Sequence, residues 1–132
     1  MRLNQLKNIL LFVGALALVV GCVQLPSVQN IEDQPIAANK PSVTLDEIGK
    51  AIIRAGDSIN MQMKQVRPGL ISATYTAREL SAAMEVKYDT KQYSITYKDS
   101  QNLKYDGTHI HSRYNQWVRN LDNRIRVQLS TL

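Results

Sequence analysis

The stretch Ala82-Ala83-Met84-Glu85-Val86-Lys87-Tyr88-Asp89-Thr90-Lys91-Gln92-Tyr93-Ser94-Ile95-Thr96-Tyr97-Lys98 decides the fold. Met84, Val86 and Tyr88 alternate with Glu85 and Lys87, and Tyr93, Ile95 and Tyr97 alternate with Ser94 and Thr96. A period of two assigns each set to one face of a strand. Asp89-Thr90-Lys91 turns the chain between them, so residues 82–88 and 92–98 pair as an antiparallel hairpin.

Upstream the same period persists. Ile71, Ala73 and Tyr75 oppose Ser72, Thr74 and Thr76 in a strand over 70–77. Before it, Ile59, Met61 and Met63 alternate with Asn60, Gln62 and Lys64. Pro68-Gly69 separates these two strands, with Pro fixing φ and Gly supplying a positive φ. Hairpin-linked strands of this kind form an antiparallel meander.

A helix flanks the meander on each side. Thr44-Leu45-Asp46-Glu47 matches a capping box, in which the Thr44 hydroxyl accepts from the Glu47 N–H and the Glu47 carboxylate reaches back. Leu45, Ile48, Ile52 and Ala55 follow helical spacing, with Gly56 as a stop, so a helix over 44–55 is expected. Gly49 weakens it by up to about 1 kcal/mol. After the Asp106-Gly107 break, Ile110, Tyr114, Trp117, Val118, Leu121 and Ile125 share one helical face, and Asp122 can pair with Arg126 at i, i+4. The expected architecture is therefore α+β: a four-stranded antiparallel meander with an N-terminal and a C-terminal helix packed on one face, α-β-β-β-β-α. The only Phe of the chain, Phe12, lies outside this region, so its aromatic bulk is tyrosine and Trp117, residues that favour half-wet positions.

The N-terminus carries a different message. Arg2 and Lys7 precede an apolar run from Ile9 to Val20, and Gly21 then precedes the single cysteine, Cys22. This is the layout of a secretory signal peptide over 1–21. The run is shorter than the roughly 17–25 residues of a membrane span. The segment Val19-Val20-Gly21-Cys22 resembles the lipobox of bacterial lipoproteins. That resemblance implies a diacylglyceryl group on the Cys22 thiol, cleavage just before it, and acylation of the new amino terminus, with palmitate among the expected chains. Several acyl chains anchor a protein where one is marginal. Valine rather than aspartate at position 23 implies, by the same resemblance, the outer membrane facing the periplasm rather than the inner membrane. With Cys22 consumed, no disulfide can form within the mature chain.

Residues 22–43 contain Pro26, Pro35 and Pro41 among Ser, Gln and Asn, with no apolar period. They are expected to form the lipidated cysteine and a flexible tether, leaving 44–132 as a single periplasmic domain. The formal charge is +5, of which Arg2 and Lys7 contribute two. Such a mild excess, without a basic stripe, does not describe a nucleic-acid binder.

The segments Arg67-Pro68-Gly69-Leu70-Ile71, Tyr93-Ser94-Ile95-Thr96-Tyr97, Asp99-Ser100, Asn102-Leu103-Lys104-Tyr105, Ile110-His111, Tyr114-Asn115, Trp117-Val118 and Leu121 together resemble a group of small proteobacterial envelope proteins, many of them lipoproteins. The resemblance spans about half of the chain and implies a setting, with no activity attached. Met61 departs from the tryptophan expected in such relatives.

Candidate chemistry is sparse. His109 and His111 would project to one face of an extended segment, yet two ligands do not complete a metal site, and Asp106 is the one close carboxylate. Ser100, His111 and Asp106 compose a hydrolase triad only on paper, because no nucleophile-elbow context surrounds the serine. Asp99, Ser100 and Asn102 are turn formers that bond their own backbone. Tyr88, Tyr93, Tyr97 and Tyr105 offer rings that stack on glycans or line a peptide groove, unless Tyr93 and Tyr97 simply pack beneath the last helix. Arg113, Arg119, Arg124 and Arg126 offer cations to lipid phosphates or an acidic partner, or simply a solvated face. The expected role is a lipid-anchored, non-enzymatic envelope adaptor or interaction module with a protein partner. The alternatives are a small-ligand or metal-binding lipoprotein using these tyrosines with His109 and His111, and a cell-wall hydrolase. No cofactor is expected.

Overall fold

A computed structural model of the chain describes residues 24–132. The signal segment 1–21, the Val19-Val20-Gly21 lipobox and Cys22 lie outside the described residues. Among the described residues the fold is α+β, with one five-stranded antiparallel sheet and two helices. The elements are β1 (Ile31–Pro35), α1 (Leu45–Asp57), β2 (Gln62–Arg67), β3 (Leu70–Ala77), β4 (Leu80–Tyr88), β5 (Gln92–Gln101) and α2 (Ser112–Leu129). The strand order is β1-β5-β4-β3-β2, so β2 to β5 form the expected meander and β1 adds to the side of β5.

The strand count is thus corrected from four to five. The extra strand comes from the stretch expected to be a tether. Ile31 lies opposite Ile95, and Gln34 and Pro35 lie opposite Tyr93 and Gln92. The pairing was hidden because β1 has no alternating apolar pattern. Asp33 takes φ 51° and the register shifts between Ile31 and Gln34, which breaks the period of two. Val28, Ile31 and Ile36 nonetheless pack against the core.

The sheet has one apolar face and one polar face. Ile71, Ala73, Met84, Val86, Tyr93 and Ile95 are buried beneath the helices. Cross-strand partners on the other face pair Ser72 with Glu85, and Glu85 with Thr96. A bulge between Ala83 and Met84 resets β5, bringing Asp99 opposite Ala83 and Tyr97 opposite Met84.

In α1, Thr44 caps the helix by accepting from the Glu47 N–H at 3.2 Å. The other half of the expected box is absent, since the Glu47 carboxylate meets Lys40 Nζ at 2.6 Å. The helix also runs past Gly56 to Asp57, with Ser58 as its cap. Gly56 is not a stop. Its bare α-carbon admits the Met63 side chain of β2, which a β-carbon there would strike. The turn after α1 ends with Asn60 at φ 62°, so β2 starts at Gln62 rather than Ile59. At the other end, Asp89 Oδ1 accepts from the N–H groups of Lys91 and Gln92 at 2.7 and 2.9 Å, which holds the turn expected between β4 and β5.

Candidate functional site

The chain docks onto the domain within the first described residues. Ile110 N–H donates to the Pro26 carbonyl and Val28 N–H to the Thr108 carbonyl, both at 2.9 Å. Ser27 bridges His109 in antiparallel sense. Asn115, in the first turns of α2 and buried, locks this ribbon. Its amide nitrogen donates to the Ser27 carbonyl and its oxygen accepts from the Gln29 N–H, both at 2.9 Å. The Pro26 and Ser27 carbonyls and the Val28 and Gln29 N–H groups are thereby paired outside the sheet.

The 102–111 loop is folded on itself beside the ribbon. His111 N–H donates to the Leu103 carbonyl at 2.8 Å, and Leu103 is buried. Asn102, Lys104 and Gly107 take positive φ to make the bends. Asp106 Oδ1 accepts from the N–H groups of Thr108 and His109. These backbone donors, with His109 beside it, hold the Asp106 carboxyl below its usual range.

The structure divides the tyrosines named from the sequence. Tyr88 and Tyr93 belong to the core, and neither presents its ring to solvent. Tyr93 donates to Asp122 Oδ1, and Tyr88 brings its hydroxyl against Gly49. Tyr97 is half-buried, and Tyr105 is 41 % exposed. These two stack with ring centroids 4.1 Å apart, and Tyr97 meets the buried Tyr114 edge-on at 5.4 Å. The exposed aromatic surface is therefore the Tyr105 end of a three-ring stack.

The histidines serve the same end of the molecule. His109 Nδ1 lies 3.4 Å from Asp106 Oδ2. His111 caps α2, its Nδ1 accepting from the Arg113 N–H at 3.1 Å. The helix start moves accordingly from Ile110 to Ser112. Among the described residues no group of three or more His, Cys, Asp or Glu converges as metal ligands. The paper triad is not assembled. Ser100 Oγ lies 2.7 Å from the Tyr97 hydroxyl, while His111 and Asp106 are each taken up by backbone N–H groups.

Two residues have partners that the sequence does not show. Asn115 and Asp122 are the buried polar residues of α2. Asp122 was legible as the i, i+4 partner of Arg126, which it meets at 3.1 Å. Its spacing from Val118 and Ile125 also puts a carboxylate on the apolar stripe. That was the signal for its second partner on the sheet. Asn115 follows Tyr114 on the edge of the same stripe.

The sheet's two edges differ. β1 is short, bulged and ends in Pro35, features that blunt an edge. β2 pairs only with β3 and leaves its other side free among the described residues. It carries Lys64 and Arg67, no acidic residue, and Val66 at 52 % exposure.

Comparison with protein-family models, with curated proteins and with solved structures finds no match.

Proposed function

We propose that the chain is a non-enzymatic, lipid-anchored protein of the bacterial envelope, held at the outer membrane by acylated Cys22 and presenting a periplasmic interaction domain. The observation that carries this reading is the position of the single cysteine, immediately after Gly21 at the end of the apolar run. The resemblance of Val19-Val20-Gly21-Cys22 to a lipobox supports the same setting.

The interaction surface is the edge of β2. Its unpaired backbone groups template an added strand, and its cations Lys64 and Arg67 select an acidic extended segment of a partner protein. Self-pairing of two β2 edges would bring like charges together, so a second copy is disfavoured.

Two experiments test the reading. Cys22→Ala moves the protein from the membrane pellet to the soluble fraction; a variant that stays in the pellet refutes the anchor. The intact lipoprotein captures a partner that Lys64→Glu/Arg67→Glu loses, and binding slows hydrogen exchange at β2 amides. A partner retained by the charge-reversed protein refutes the β2 assignment.

A further inference from the structure

The anchoring point and the first docked residue are close along the chain. From Cys22 to Pro26 there are four residue steps, so the two α-carbons lie within about 14 Å whatever path the chain takes between them. From Pro26 onward the backbone is bonded to Ile110 and Thr108 and clamped by Asn115. The leash is therefore much shorter than the composition of 22–43 suggests.

The ribbon's direction fixes where the leash leaves the domain. Pro26 opposes Ile110 and Val28 opposes Thr108. An antiparallel ribbon continued backward from Pro26 runs toward His111 and the start of α2. Lys104, Tyr105 and Arg113 are exposed at this end, the Asp106 carboxylate between them is met by the Thr108 and His109 N–H groups and by His109, and α2 has no acidic residue in its first turn. Cations with an amphipathic ring suit the headgroup layer of an anionic bilayer.

We infer that this end of the domain, the 103–109 loop with the first turn of α2, lies against the anionic phospholipid surface. The inference rests on the lipid-anchor reading of Cys22. The β4–β5 turn then points away from the bilayer, because the ten residues of β5 separate the two ends by about 30 Å. The β2 edge runs along the same axis, which leaves it open to a partner approaching from the side.

The test uses the mature lipidated protein in phosphatidylglycerol–phosphatidylethanolamine vesicles, with a nitroxide on a fraction of the headgroups. Amide signals of residues 103–109 and 112–113 are expected to lose intensity, while those of 89–92 are retained. Lys104→Glu/Arg113→Glu, at exposed positions, is expected to reduce the difference with the chain still folded and anchored. Equal loss at both ends, or greater loss at 89–92, overturns the inference while the anchor stands. A bare Cys22 thiol by mass spectrometry overturns the anchor and the inference together.

Discussion

The hydroxyl of Tyr93 on β5 donates to Oδ1 of Asp122 on α2 across 2.5 Å, and both residues are buried. Asp122 Oδ2 meets Arg126, whose guanidinium also donates to Gln34 of β1 at 2.7 Å. One carboxylate thus ties the last helix to the sheet and, through Arg126, to the edge strand. Tyr93→Phe is expected to lower stability by about 1–2 kcal/mol, and Asp122→Ala by about 2–3 kcal/mol because it also leaves a buried hydroxyl unpaired. Urea unfolding of a soluble Cys22→Ala protein measures both. A Tyr93→Phe variant as stable as the parent would show that the hydroxyl bond contributes nothing beyond packing.

Tyr114 makes the opposite case. Its hydroxyl is buried and finds no hydrogen-bond partner among the described residues. Tyr114→Phe removes a polar atom that gains nothing from burial, so the change is expected to be neutral or stabilising by up to about 1 kcal/mol. The same urea titration decides it, and a loss comparable to that of Tyr93→Phe would point to an unrecognised partner.

Both buried tyrosines respond to alkali. Burial, aided by the Asp122 hydrogen bond and charge, pushes Tyr93 well above the ordinary value near 10. Burial and the neighbouring Tyr97 and Tyr105 do the same for Tyr114. A folded-state value above the unfolded one means that the native state holds its proton more tightly. The stabilisation is complete below the unfolded value near 10 and is lost as pH rises above it. Absorbance at alkaline pH is expected to show these two tyrosines ionising only with unfolding, and Tyr93→Phe to flatten the alkaline limb of the stability curve. Ionisation of every tyrosine with the fold intact would contradict their burial.

Asn115 is expected to control the ribbon alone. Asn115→Ala removes both side-chain bonds to residues 27 and 29, at a cost of about 2 kcal/mol. Hydrogen exchange should accelerate at Val28 and Ile110 while the amides of β4 remain protected. Uniform acceleration would mean that the ribbon is part of the cooperative core.

Gly49 sits where α1 crosses Tyr88, and a β-carbon there would lie 2.5 Å from the tyrosine hydroxyl. Alanine gains about 1 kcal/mol of helix propensity, but overpacking costs about 1–3 kcal/mol. Gly49→Ala is therefore expected to destabilise, and adding Tyr88→Phe to recover stability. A stabilised single variant would show that the tyrosine moves aside freely.

The alternation in 82–98 and the helical stripe from Tyr114 to Ile125 by themselves determined the antiparallel meander, the two helices and the shared apolar face. Those patterns are local, and burial of one face follows directly from them. The capping threonine and the Asp89 turn were likewise legible, because each bonds a backbone only two or three residues away. Tertiary structure alone decided the rest. β1 has no period to read, since its bulge breaks alternation and its partner is more than fifty residues distant. Tyr88 and Tyr93 became core residues, while Tyr105 stayed outside, because strand register and helix packing determine which aromatic faces are covered. Asn115 and Asp122 reveal their partners only once the chain has folded back on itself. A polar side chain on an apolar stripe signals in sequence that a partner exists, and only the packed fold says which.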